Sequence, residues 1–155
     1  MYQRILVPID GSETSTRGLD EALRLAQLTH GRVRLVHAID ELKYVNGFET
    51  YAVYSNDVVP LMREAGERIL QAGRERAARA GIEADTRLFI PVADRVCDVV
   101  AQQARSWKAD LIVIGTHGRH GVARVLLGSD AEQILRVAPV PVLLGRTQQP
   151  GQDAP

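Results

Sequence analysis

At 155 residues, 45% of them apolar and 25% charged, the chain has the make-up of one globular domain large enough to bury a core. Lys and Arg together number 19, as do Asp and Glu, so no net charge draws it to nucleic acid. No apolar run approaches the roughly 18 residues of a membrane span, the N-terminus lacks a signal peptide's apolar core, and the lone Cys97 excludes an intrachain disulfide, so no membrane insertion and a cytoplasmic location are expected.

Arg4 to Ile9 is a short apolar run that predicts the first strand, with Pro8 where a strand leaves its sheet. Asp10-Gly11-Ser12 is turn chemistry. Leu19, Ala22, Leu23 and Ala26 then recur at helical spacing, behind Ser12 or Thr14 as cap. Gly31 is expected to end that helix, and Val33 to Ala38 reads as the second strand. From Glu41 to Asn56 the periodicity lapses. Tyr44, Phe48, Tyr51 and Tyr54 in that segment are expected to pack over the sheet edge in preference to stacking on a base. Leu61, Ala65, Ile69 and Ala72 mark a second amphipathic helix that ends near Gly81, its charged face solvated.

Ile82 to Ile90 carries a weaker third strand. After Pro91 a third helix bears Val96, Val99, Val100, Ala104 and Trp107 on one stripe, which predicts packing for Trp107 and not ligand stacking. Cys97 beside that stripe, without a neighbouring His or cationic cluster, predicts an inert buried thiol. Leu111 to Ile114 suits a strand buried on both faces. Gly115, Gly118 and Gly121 follow, then Gly128-Ser129. Glycines here either turn the chain or let backbone N–H groups approach an anion without Cβ interference, and the two are compatible. Ser129-Asp130-Ala131-Glu132 reads as a capping box opening a helix that reaches Val137, stopped by Pro139. A helix N-terminus adds partial positive charge, so loop and helix together point to a phosphate site. It is not a Walker A loop, since no Lys precedes the Ser, nor a dinucleotide fingerprint. Val140 to Leu144 is the last strand, with prolines that suit a sheet edge. A single domain is expected over residues 1–146 and a disordered tail over 147–155.

Strands and helices alternate throughout, which predicts a three-layer α/β/α architecture around a parallel sheet. In such sheets ligands bind outside the carboxyl ends of the strands, where the strand order reverses. Asp10, Ala38 and Gly115 fall at such ends and are expected to line one crevice.

ILVPIDGS at the start, LVHAID after the first helix, and ADLIVIGTHG, LLGSDAE and APVPVLL toward the end resemble the universal stress protein family. The spacing of Gly115, Gly118, Gly128 and Ser129 resembles the G-2x-G-9x-G-S motif of its ATP-binding subgroup. The resemblance runs from Ile5 to Leu144. It implies a five-stranded sheet of order 3-2-1-4-5, flavodoxin-like or adenine nucleotide alpha hydrolase-like, and a homodimer paired through Val140 to Leu144. It also implies ATP, with Mg²⁺ carried on the phosphates and no metal site of the protein's own. In that carry-over Asp10 accepts from the ribose hydroxyls, and Pro8, Ile9 and Ala38 border the adenine, with backbone groups of Ala38 reading its edge. Gly115, Gly118, Gly128 and Ser129 hold the triphosphate, and Ile114, Thr116, Arg119 and Asp130 complete the site. For Asp10 an Asx-turn or helix cap is the plainer alternative. Asp130 departs from the small or apolar residue the resemblance leads one to expect. Its carboxylate favours the helix dipole and repels a phosphate.

His117 and His120 lie in the Gly-rich loop without further ligands at metal spacing, so they are expected to face solvent or phosphate. No base is placed to activate water or a hydroxyl, as phosphoryl transfer needs. The expected function is therefore ATP binding by a dimeric regulatory protein of the stress response, with no catalytic residue and at most slow hydrolysis. An ATP hydrolase or phosphotransferase using the same pocket, and a nucleotide-free dimeric interaction protein, are the alternatives.

Overall fold

The computed structural model describes residues 1–39, 54–90, 94–116 and 128–146. Most of the aromatic segment after Asp40, the Gly-rich loop with His117, Gly118, Arg119 and His120, and the tail from residue 147 lie outside the described residues, and the expectations attached to them lie there too.

The elements run β1 (Arg4–Pro8), α1 (Glu13–Thr29), β2 (Arg32–Ala38), a π-helical turn (Tyr54–Val58) leading into α2 (Val59–Arg79), β3 (Ala84–Phe89), α3 (Val96–Ser106), β4 (Leu111–Thr116), α4 (Ser129–Val137) and β5 (Val142–Arg146). They form one five-stranded parallel sheet of order β3-β2-β1-β4-β5. Alternation along the strands divides the core. Ile5, Val7, Leu35 and Val113 point toward α1 and α2 and pack with Leu19, Leu23 and Leu70. Leu6, Val36, Ile112 and Ile114 point toward α3 and α4 and pack with Val100 and Ile134. The largest of these side chains, such as Leu6, Leu35 and Ile112, are fully buried, each contributing about 1.5–3 kcal/mol. Helices thus cover both faces in three layers. Asp20 on α1 accepts from Nη2 of Arg76 on α2 at 2.8 Å, a bond that holds the guanidinium pKa above its usual value.

Two features of the sheet position a crevice. β1 pairs with β2 over five residues, from Arg4↔Arg32 to Pro8↔Val36, but with β4 only at Ile5↔Leu111 and Leu6↔Ile112. Beyond Leu6 the sheet therefore parts between β1 and β4, where the chain order reverses. The N-terminal half of α1 is seated against β4 by glycines. A Cβ on Gly18 would stand 2.4 Å from the Gly115 nitrogen, and one on Gly115 would stand 1.8 Å from the Thr14 carbonyl oxygen. Gly145 of β5 lies beside this seam, its Cβ position 3.4 Å from Gly18 Cα. Helix and strand meet backbone to backbone.

Three of the boundaries that differ from those read in the sequence have a clear physical cause. α1 is closed by His30, in the left-handed region at φ 54°, whose N–H donates to Ala26. Gly31, which follows, is hemmed in by the Tyr2 carbonyl oxygen, 2.8 Å from its Cβ position. The last strand is Val142–Arg146 and not Val140 to Leu144. Pro141 has no N–H for the ladder, though its carbonyl accepts from Ile112 at 3.0 Å. The capping box is absent: Gly128, extended at φ −60° and ψ 155°, is the N-cap of α4, and Ser129 is already helical. Glu132 pairs with Arg136 one turn on, at 2.7 Å.

Trp107 packs at the edge of the α3–α4 core, with the Arg34 guanidinium 4.7 Å above its ring. Arg34 in turn donates to Asp85 at 2.7 Å, so the stacking partner of Trp107 comes from its own chain. Cys97 is buried, its thiol 3.6 Å from Gln133 Oε1.

Candidate functional site

The parting of β1 and β4 opens a crevice of about 290 Å³ at the carboxyl ends of the strands, near the lower end of small-molecule sites. One wall is apolar, formed by Pro8, Val36 and Ile114 on the strands with Val100 of α3 and Ile134 of α4. The opposite rim is polar. It comes from the β1–α1 turn, where Gly11 takes φ 81°, a conformation that strains an L side chain, and where Ile69 Cγ1 lies 3.1 Å from its Cβ position.

Hydrogen bonds knit that turn together. Asp10 Oδ1 accepts from the Ser12 N–H at 2.9 Å, an Asx-turn, and Ser12 Oγ accepts from the Ser15 N–H at 3.1 Å, capping α1. The Ser15 hydroxyl donates to the Ser12 carbonyl at 3.0 Å and accepts from the Asp10 N–H at 3.3 Å. The plain role for Asp10 is therefore real. It also places the carboxylate at the crevice mouth, exposed.

The N-terminus of α4 closes the far side. Its first intrahelical bond runs from the Glu132 N–H to the Gly128 carbonyl at 3.0 Å. The Ser129, Asp130 and Ala131 N–H groups have no described acceptor, as expected of a helix start without a side-chain cap. All three residues line the crevice. The helix has nine residues, enough for its aligned dipoles to favour an anion there. Among the described residues Gly128 is open: a Cβ would meet none of them within 4 Å, and its backbone angles suit any residue.

Of the site residues read from the sequence, Pro8, Ile9, Asp10, Ala38, Ile114, Gly115, Gly128, Ser129 and Asp130 all border this one crevice. Gly115 lines it through its backbone while the α-hydrogen at its Cβ position faces the Thr14 carbonyl, so packing of α1 alone requires a glycine there. Thr116 does not reach the crevice; it is buried, and its hydroxyl donates to the Gly145 carbonyl at 3.3 Å. Gly118 and Arg119 lie outside the described residues. The reading missed Ser12 and Ser15 as part of the rim, Val100 and Ile134 as the wall, and His37. The first two sit in a recognisable turn, Val100 lies on an apolar stripe that reads as ordinary core, and Ile134 carries no signal of its own; both also belong to the core. His37 left no signal in a strand read only for its apolar pattern. Among the described residues no group of three His, Cys, Asp or Glu side chains is placed to hold a metal.

Comparison with known proteins agrees with this geometry. Residues 1–146 match the profile of the universal stress protein family. A putative universal stress protein of Staphylococcus epidermidis is 31% identical over 153 residues, 98% of this chain and 89% of the relative. The crystal structure of a universal stress protein family member from Burkholderia pseudomallei superposes with a TM-score of 0.69 at 34% identity, covering 92% of this chain and 95% of that one. The crystal structure of a universal stress protein in complex with cAMP superposes with a TM-score of 0.61 at 25% identity, covering 95% and 98%.

Proposed function

The chain belongs to the universal stress protein family, and on that premise we propose that its crevice binds ATP, with Mg²⁺ on the phosphates, in a dimeric regulatory protein of the stress response. One observation carries the reading: three helix N–H groups without described acceptors, an apolar wall and the Asp10 carboxylate border the same crevice. Anion, base and sugar each meet suitable chemistry there. The relative in complex with cAMP supports an adenine nucleotide. In this reading Pro8, Ile9 and Ala38 border the base and Asp10 accepts from ribose hydroxyls. The N–H groups at Ser129 and Asp130, with Gly128 beside them, receive the phosphates, and Gly118 and Arg119 join from the loop. Mg²⁺ would neutralise phosphate charge near Asp130. The protein is a binder with at most slow hydrolysis; sustained multiple-turnover phosphate release would make it an enzyme instead. Calorimetric titration with ATP tests the reading, and no binding of ATP, AMP or cAMP by the purified protein would overturn it.

Asp130 gives a finer expectation. It sits in the first turn of α4, favourable to the dipole and unfavourable to a phosphate. Like charges ~4 Å apart repel by about 1 kcal/mol in water and about 4 at an effective dielectric near 20. Asp130 is exposed, which favours the lower figure. Asp130→Ala should tighten Mg²⁺-free ATP by roughly fivefold, leave adenosine unchanged, and lose its advantage when Mg²⁺ is added. Equal shifts for ATP and adenosine would mean that the carboxylate does not face phosphate.

For assembly, β5 pairs with β4 on one side only among the described residues, and Leu143 is 37% exposed on it. Bare edge strands invite pairing, and a symmetric copy would satisfy this one. Light scattering should report a dimer or a multiple of one. A folded monomer at micromolar concentration would sink the dimer.

A further inference from the structure

We infer that His37 decides which backbone donor the crevice offers: its ring occupies the Ile9 carbonyl that the β1–β2 ladder would otherwise give to the Ala38 N–H, and so keeps that N–H open for a ligand base. The inference rests on the nucleotide reading above and adds a positioning residue to it.

The ladder itself supplies the argument. The Ile9 N–H donates to the Val36 carbonyl at 2.9 Å. In a parallel pair the next bond runs from the residue two beyond, here Ala38, back to the Ile9 carbonyl. That bond is not made, and registered pairing stops at Pro8↔Val36. Instead Nδ1 of His37 lies 2.7 Å from the Ile9 oxygen. A carbonyl oxygen only accepts, so Nδ1 carries the proton and donates. Val36 turns its carbonyl toward β1, and Ala38, two residues on, turns its N–H the same way, past the end of β1 and into the crevice it lines. Among the described residues that N–H has no acceptor, whereas the next one, on Ile39, donates to Phe89 at 2.9 Å on the other side.

A buried carbonyl needs a donor, but a backbone donor already stood in register for this one. A ring is superfluous for satisfying Ile9 unless the Ala38 N–H is wanted elsewhere. The ring also has a built seat. His37 is 9% exposed on the face toward α2, where Gly66 leaves it room. A Cβ on Gly66 would come within 3.0 Å of His37 Cδ2 and 2.5 Å of Leu88 Cδ1. Glycine inside a helix is unfavourable, and here it sits where the Leu88 methyl and, less severely, the imidazole edge leave no room for a side chain. A freed N–H at the apolar end of the crevice suits a base with an acceptor on its edge. N1 of adenosine is such an acceptor. N1 of inosine carries a proton and is not.

Amide hydrogen exchange and ligand titration test this together. In the ligand-free protein the Ala38 amide should exchange at least tenfold faster than that of Ile39, and adenosine should slow it. His37→Phe keeps an aromatic ring there, somewhat larger than imidazole, and removes the donor. The Ile9 carbonyl should then capture the Ala38 N–H, slowing its exchange without ligand, weakening adenosine about tenfold and erasing the preference over inosine. His37→Asn, whose amide nitrogen can take the place of Nδ1, should restore fast exchange and adenosine binding. An Ala38 amide in the unaltered protein that exchanges as slowly as that of Ile39 overturns the inference, and so does an Asn variant that behaves like the Phe variant. If the unaltered protein binds no adenosine or ATP, the nucleotide reading fails. The exchange rates still decide whether His37 holds the ladder open.

Discussion

Replacing Gly115 by alanine should destabilise the protein by about 3 kcal/mol or more, at the upper end for overpacking. The added carbon would lie 1.8 Å from the Thr14 carbonyl oxygen. That obstacle is backbone, so no rotamer change relieves it; α1 must lift from β4. For a chain of this length the melting temperature should fall by roughly 6–12 °C, measurable by circular dichroism. Gly18→Ala should act in the same direction, since its Cβ would lie 2.4 Å from the Gly115 nitrogen. The double variant should lose less than the sum, because both changes open one seam. An unaltered melting temperature in Gly115→Ala would remove the seam from the account of this fold.

Gly128→Val should do the reverse, keeping the fold and losing the ligand. A Cβ there meets nothing within 4 Å among the described residues, and the backbone angles are ordinary. The cost to the fold is limited to replacing a tolerable N-cap by a poor one, about 1 kcal/mol. A branched side chain at the start of α4 would stand where an anion must approach the Ser129 and Asp130 N–H groups. ATP affinity should drop by roughly 100-fold, about 2.7 kcal/mol, with the melting temperature lowered by only about 2–4 °C. Unchanged affinity in calorimetry would take the phosphates away from this helix end.

These two glycines also mark how far the sequence can be read. Strand order, the three layers and the crevice were legible because Leu111 to Ile114 and Arg4 to Ile9 are apolar runs with turn residues at their carboxyl ends, and because the resemblance runs nearly the whole chain. What a glycine is for was not legible. Gly115 suggested an anion loop, yet a helix lying against it already demands a glycine. Gly31 suggested a helix cap, yet His30 takes the left-handed turn. Close approach between segments distant in sequence leaves no local pattern. The capping box failed for a related reason: Ser129 suits both the N-cap and the first helical position, and only the observed chain path selects Gly128 as the cap. The last strand shifted by two because Pro141 has no N–H for the ladder, while Gly145, beside Gly18 in the seam, continues it. His37 was hidden because its role lies in a bond the backbone does not make.

The openness around residue 128 has a bearing on inheritance. Cells remove proteins that unfold, and they do so by the fraction unfolded, without regard to activity. A lineage in which residue 115 drifts to alanine would meet that surveillance at once, through lowered abundance. One in which residue 128 drifts would pass it, since no described residue crowds the space there. The altered protein would accumulate like its ancestor, and in the proposed dimer its edge strand, untouched by the change, would pair with unaltered siblings. Surveys of abundance or heat tolerance would score the two lineages as opposite, while the quieter substitution is the one expected to lose the ligand.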